Sequence, residues 1–326
     1  MTLINSSNSS GTTYKRTLQE QQRISVEMAK RLQQKLKQQI KDKSVNAVKT
    51  YNEYIRSLRT VNDVEVTTPD WHSFAAEPHP KLPVKEATHQ LEAEYNLNAY
   101  VPKWIDYLTW QHRKKITDLS DRIAAARLED DLVYNAKLKQ FRNDVSDWKQ
   151  VQSITKGMTE RDPETYQYAL DFFNPFAAIL CAGLQIKCEC YREHLIVQIQ
   201  LDAGKVIPAF TLSKTAKGKL LNTDMPANDY NQLLKDFVCG CVLRVARETL
   251  AILPVDFVIV NVDAQLMNKV QSSTAHRSIL SVRYNRKDFV KQYVQKAMPV
   301  ISIANIPHRI AYSDQEGFLP VEVLTV

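Results

Sequence analysis

Residues 227–262 read ANDYNQLLKDFVCGCVLRVARETLAILPVDFVIVNV, and they decide the class of the fold. Behind Pro226 the apolar positions Leu233, Leu234, Phe237, Val238, Cys241, Val242, Val245 and Leu250 fall on most sides of a helix reaching about Leu253. That spacing predicts a helix that is largely buried. Residues 255–262 then form an almost unbroken apolar run of strand length, the pattern of a strand covered on both faces. A buried helix followed by a buried strand requires a layered unit with a sheet inside it.

Working outward, three strand-like runs precede the helix, at 184–191, 194–201 and 205–212. In the second, Leu195, Val197, Ile199 and Leu201 alternate with Ile196, Gln198 and Gln200, so one face is buried and the other mostly wet. The connections Arg192-Glu193 and Asp202-Ala203-Gly204 are short enough for an antiparallel meander. Two short helices come before the strands. Asp162-Pro163-Glu164 opens the first, through Phe173, and Asn174-Pro175 the second, to Ala182. Beyond the central strand lie a strand at 279–284, a helix at 286–297 and a short strand at 321–324. Residues 157–326 are thus expected to form an α+β domain with an antiparallel sheet.

The N-terminal half has a different period. Residues 1–13, rich in Ser, Thr and Asn, read as a disordered tail. Over 14–59 the residues Ile24, Met28, Leu32, Leu36 and Ile40, then Val45, Val48, Tyr51, Ile55 and Leu58, mark one narrow stripe on a long basic helix. Pro69, Pro78, Pro80, Pro83 and Pro102 make 60–102 an extended connector with room for one short helix near 85–95. A second long helix is predicted over 103–156 and closed by Gly157. Its stripe runs through Ile105, Leu108, Ile116, Leu119, Ile123, Ala126, Val133, Phe141, Val145 and Trp148. A stripe of that length needs a partner. The first helix folded back as an antiparallel hairpin would serve, and so would a second copy of the chain.

Composition bounds the function. The chain has 326 residues, 44% of them hydrophobic, and a formal net charge of +7. Twelve Lys/Arg against four Asp/Glu lie in 14–59, so the positive excess sits on the first helix. No apolar run is long enough to span a bilayer, and no hydrophobic leader follows the start, so a cytoplasmic protein is expected. Five cysteines, all between Cys181 and Cys241, suit a reducing compartment. Seven glycines, none closer than fourteen residues to the next, exclude the loops that cradle phosphates in Walker and dinucleotide-binding folds.

Candidate chemistry is sparse. Cys188-Glu-Cys190 and Cys239-Gly-Cys241 invite a zinc site, but on a helix the second pair points about 200° apart, so neither metal nor cofactor is expected. The element order of the C-terminal domain resembles the core of restriction-endonuclease-like nucleases, whose site needs acids on the second and third strands. Asp202 would supply one, and the run from Lys205 to Leu212 supplies none. Candidate binding residues remain. Lys30, Arg31, Lys35 and Lys37 stand on the basic helix, where they would attract phosphates or simply face solvent. Arg244 and Arg247 sit on the central helix, where Arg244 also has Glu248 as an i, i+4 partner. His276 lies in a polar loop and Arg283 flanks the last clear strand.

The runs Cys239-Gly-Cys-Val-Leu-Arg-Val-Ala-Arg-Glu-Thr-Leu, Leu253-Pro, Val260-Asn261, Ile279-Leu-Ser-Val and Gly317-Phe-Leu-Pro-Val-Glu carry a resemblance to a family of bacterial proteins with no established activity. It covers 174–326 and weakens over the long helix. Members tend to have Glu-x-Lys on the third strand where this chain has Ala209-Phe210-Thr211. The expectation is therefore a cytosolic interaction or scaffold protein, binding a protein partner, itself or nucleic acid through its helices. A nucleic-acid-processing or defence-related enzyme with an unrecognised site is the other class left open.

Overall fold

The computed structural model describes residues 11–42, 46–64, 66–102, 111–180, 183–268, 273–288 and 299–326. The chain divides into two units, 1–75 with 154–326, and 76–153. The class is α+β.

In the larger unit, α1 (Gly11–Lys41) and α2 (Ala47–Arg59) replace the single basic helix expected over 14–59. They fold back on one another as a hairpin, tied where Gln33 Nε2 donates to Tyr54 Oη at 3.2 Å and Thr50 Oγ1 donates to Gln39 Oε1 at 2.7 Å. Asp42 and Asn46 flank the break between the two helices. The buried face of α1 also differs from the expected stripe. Tyr14, Gln22 and Leu36 are buried, whereas Ile24 and Met28 are 55% and 71% exposed. The cause is an aromatic cluster: the Tyr14 ring lies 5.4 Å from that of Phe173 and 5.9 Å from that of Phe74, with Trp71 packed on both partners. Anchoring Tyr14 turns α1 about its axis and carries Ile24 and Met28 outward.

After α3 (Trp71–Ala75), this unit resumes in the last turns of a long helix that ends at Glu160. Gly157, expected to close that helix, lies inside it. A Cβ there would stand 2.0 Å from Thr165 Oγ1, so the glycine permits the close approach of α6 (Pro163–Phe173). The start of α6 follows the sequence: Asp162 accepts from the Thr165 amide at 3.1 Å, Pro163 occupies the first turn, and Asn174 caps the end in the left-handed conformation.

Following α7 (Ala177–Leu180) come β1 (Gln185–Cys190) and β2 (His194–Leu201), antiparallel as expected. The third run leaves the sheet. It forms the single turn α8 (Ala203–Val206) and then β3 (Phe210–Lys214), which pairs with β4 (Leu220–Asp224) in a separate two-stranded sheet. Helix α9 (Ala227–Ile252) carries the chain over the sheet to β5 (Phe257–Asn268), which lies parallel to β2. Helix α10 (Pro299–Ala304) and strands β6 (Ser273–Asn285), β7 (His308–Ser313) and β8 (Gly317–Leu319) complete the order β1-β2-β5-β6-β7-β8. The sheet is therefore mixed, not antiparallel throughout, because the α9 crossover returns the chain in the direction it left.

The core lies between α9 and one sheet face, where Leu195, Val197, Ile199 and Leu201 sit in register with Val258, Val260, Val262 and Ala264. Residues 321–324, expected as a strand, instead cross the other face. There the Val321 amide donates to Ser278 O at 2.8 Å and the Leu324 amide donates to Ser281 Oγ at 2.9 Å. Of the helix expected at 286–297, residues 286–288 are helical and the remainder lies outside the described residues.

The smaller unit holds residues 76–102, with α4 (Thr88–Asn98), and most of α5 (Gln111–Glu160). Ile105 and Leu108 of the expected stripe lie outside the described residues.

Candidate interaction surface

The arginines of α9 are the first candidates, and the backbone already occupies them. Arg244 Nε donates to Glu248 Oε1 at 3.0 Å, and both side chains are about 95% buried, at 6% and 5% exposed. Arg244 also donates to Val61 O at 3.2 Å, while Arg247 donates to Asn62 O at 3.1 Å and Val64 O at 3.3 Å. Together they hold the turn after α2 against α9, at Gly240, where a Cβ would meet Val61 Cγ1 at 2.6 Å. Gln22 of α1 reaches the same knot, accepting from the Ala178 amide at 3.0 Å beside Glu248. Burial pushes the Glu248 carboxyl up to about 7, against the pull of Arg244, Arg247 and Gln22. The cleft over this knot holds about 20 Å³, space for roughly one water. These residues join α1, α2 and α9 and leave no room for a ligand.

Arg283 of β6 lies 3.7 Å over the Phe257 ring. The row continues across the strands, with Phe257 stacked on His194 at 5.0 Å and His194 on Tyr191 at 4.6 Å. Burial and the Arg283 charge both hold the His194 imidazole below its usual value. The rings spend their faces on one another. His276 is exposed on β6, opposite Gln265 of β5. Lys30, Arg31, Lys35 and Lys37 are exposed on α1, with Arg31 paired to Glu27 at 3.1 Å. The candidate residues thus stand on α1, α9 and β6 in unrelated settings. Asp202 is paired with Lys205 at 2.9 Å. Burial raises the thiols of Cys188 and Cys190 on β1 and of Cys239 and Cys241 on α9, and among the described residues no three metal-ligating side chains meet.

The smaller unit has another character. Residues 77–100 run antiparallel along one side of α5. Trp148 Nε1 donates to Glu77 O at 3.0 Å, the His79 ring packs on Trp148 at 5.0 Å, and Glu86 pairs with Lys137 at 3.0 Å. Glu94 meets Arg127 at 3.7 Å, and Tyr100 stacks on His112 at 6.1 Å. Lys85 also pairs with Asp131. This contact covers the expected stripe at Ala126, Phe141 and Trp148 and leaves its Ile116 and Val133 exposed, so the proline-containing connector is the partner of part of that stripe.

Asp130 fixes the register of the two strips. Helix α4 begins after Ala87, which has no side chain to cap it. Asp130 supplies the cap from α5, accepting from the His89 amide at 3.1 Å, the Gln90 amide at 3.0 Å and the His89 ring at 2.7 Å. Desolvation works to raise this carboxyl, and the Gln90 amide with the His89 ring and amide outweighs it, leaving it below the usual range. The bond to Asp130 in turn raises the His89 imidazole.

Among the described residues of 76–153, only Ala126, Asp130 and Val151 are buried. Leu82, Val84, Leu91, Tyr95, Leu128 and Leu132 are each more than 60% exposed. Opposite the connector, α5 presents a second seam at alternating spacings of three and four: Asp118, Asp121, Ala125, Leu128, Leu132, Asn135, Lys139 and Arg142, every one exposed. Sequence reasoning missed this seam, because only Leu128 and Leu132 in it are large and apolar. Among the described residues none of its four charged members joins an ion pair. No described helix is long and apolar enough to cross a membrane. No protein-family model, curated protein or solved structure matches the chain.

Proposed function

We propose that this chain is an interaction or scaffold protein of the cytoplasm, which binds a protein surface through the outer seam of α5 and uses the α+β unit as its folded body. The observation that supports this is the near absence of a core among the described residues of 76–153. A stretch of this length that buries three side chains among its described residues, while exposing Leu128 and Leu132 at adjacent helical turns, gains too little from burial to offset its ordering entropy. A long helix is stabilised chiefly by packing an apolar face, and a covering surface on the outer seam would complete it. Arg244, Arg247 and Arg283 of the larger unit are engaged within the fold, which leaves none of the three to serve a reaction there. The cysteine usage supports the cytoplasmic setting.

The test is the hydrodynamic mass of the purified full chain, joined to amide hydrogen exchange along α5. The wild type should sediment as an assembly larger than 37.4 kDa with exchange slowed around 121–139, and Leu128→Glu with Leu132→Glu should release the bare chain. A bare wild-type chain whose α5 resists exchange as strongly as α9 would show that the unit needs no partner and overturn the reading. Nucleic acid that co-purifies and is released by charge reversal at Lys30, Lys35 and Lys37 would move the binding function to α1.

A further inference from the structure

The covering surface can be identified more closely, taking the reading of α5 as an assembly surface as its basis. We infer that the occupant is a second copy of this chain, docked antiparallel across the outer seam about a two-fold axis at the level of Asp130.

The seam is palindromic in its chemistry about that point. A two-fold axis at residue 130 sets Leu128 opposite Leu132 of the other copy and Ala125 opposite Asn135. It sets Asp121 opposite Lys139 and Asp118 opposite Arg142. Every pair occurs twice, as an isologous interface requires. The alternating spacing of three and four places these residues in the layers through which two helices interlock, with small and apolar side chains at the centre and opposite charges at both ends. The matched stretch of α5, from Asp118 to Arg142, is about 36 Å long.

The same residues argue against other arrangements. A parallel pair would set Asp118 and Asp121 against themselves and Lys139 and Arg142 against themselves. Sliding the antiparallel pair by one heptad sets Leu128 opposite Lys139 in one direction. In the other it sets Leu132 opposite Asp121 and Lys114 opposite Lys139. One register alone matches apolar with apolar and acid with base. The charged layers therefore select direction and register, while Leu128 and Leu132 supply the apolar contact. An unrelated partner would place no palindromic requirement on this helix.

Asp118, Asp121, Lys139 and Arg142 are exposed and outside any ion pair among the described residues, so exchanging their charges should leave the fold intact. The experiment is sedimentation equilibrium of the full chain at low salt, with circular dichroism as the check on folding. The wild type should dimerise. Asp121→Lys alone and Lys139→Asp alone should each self-associate at least about tenfold more weakly, since each sets two like-charge pairs across the axis. Mixing the two variants should restore association, because every facing pair is then opposite in charge, and the double exchange in one chain should restore it as well. A monomeric wild type overturns the inference, as do single variants that dimerise like the wild type or a mixture that fails to recover. If the wild type instead assembles with a different protein and loses it on Leu128→Glu with Leu132→Glu, the second copy is refuted and the assembly surface stands. If those two substitutions change no assembly at all, both fail.

Discussion

Glu248 should govern the pH dependence of stability in the α+β unit. Its carboxyl is buried, and burial lifts its pKa from 4.5 to about 7 despite Arg244 at 3.0 Å. The groups facing it are Arg244 and Arg247 from its own helix, with Gln22 and Tyr14 from α1. Between those two pKa values the folded chain holds the proton and the unfolded chain has released it. Stability therefore falls as pH rises through that window and levels off above it. The displacement corresponds to a loss of about 3 kcal/mol across the window. Glu248→Gln keeps the shape and an acceptor for Arg244 but cannot titrate. Urea unfolding of both proteins from about pH 5 to about pH 8 should show the difference moving by about 3 kcal/mol in favour of the variant, then staying constant. Arg244→Met removes the counter-charge and should cost about 3–5 kcal/mol at the alkaline end, where the carboxylate is left buried and unpaired. Parallel stability curves for the wild type and Glu248→Gln would refute the argument, because they would mean that the carboxyl titrates alike in the folded and unfolded chains.

Two further outcomes test the packing. Gly157→Ala should destabilise the chain by about 1–3 kcal/mol, since its Cβ would fall 2.0 Å from Thr165 Oγ1. Thr165→Ala in the same chain should recover part of that loss, and a neutral Gly157→Ala in thermal unfolding would show that the helices do not touch there. Asp130→Ala should speed exchange of the His89 and Gln90 amides and return the His89 ring toward its ordinary titration, both readable by NMR. The His89 contribution is fully present below its unfolded pKa and is lost as pH rises through the raised folded value, so α4 should loosen on the alkaline side. An unmoved His89 titration in that variant would dismiss the cap.

The sequence by itself determined what depends on near neighbours. The apolar sides of 233–250 require burial whatever surrounds them, and α9 is buried there. The alternation at 194–201 fixes which face of β2 points inward, and the Asp162-Pro163 and Asn174 signals set both ends of α6 through bonds within a few residues. Tertiary structure decided which surfaces meet. Strand direction is a property of pairs distant in the chain, so the parallel match of β2 and β5 follows from the α9 crossover and appears in neither strand. The face of α1 turns on Tyr14, whose aromatic partners are Phe74 and Phe173, and that contact overrides the four-residue spacing of Ile24 and Met28. In α5 the more apolar stripe announced a need for cover, and the connector with its prolines supplies part of it through Trp148, His79 and Asp130. The outer seam became visible only once that side was taken, because Leu128 and Leu132 are ordinary exposed leucines until the fold shows that no described residue of the unit buries them.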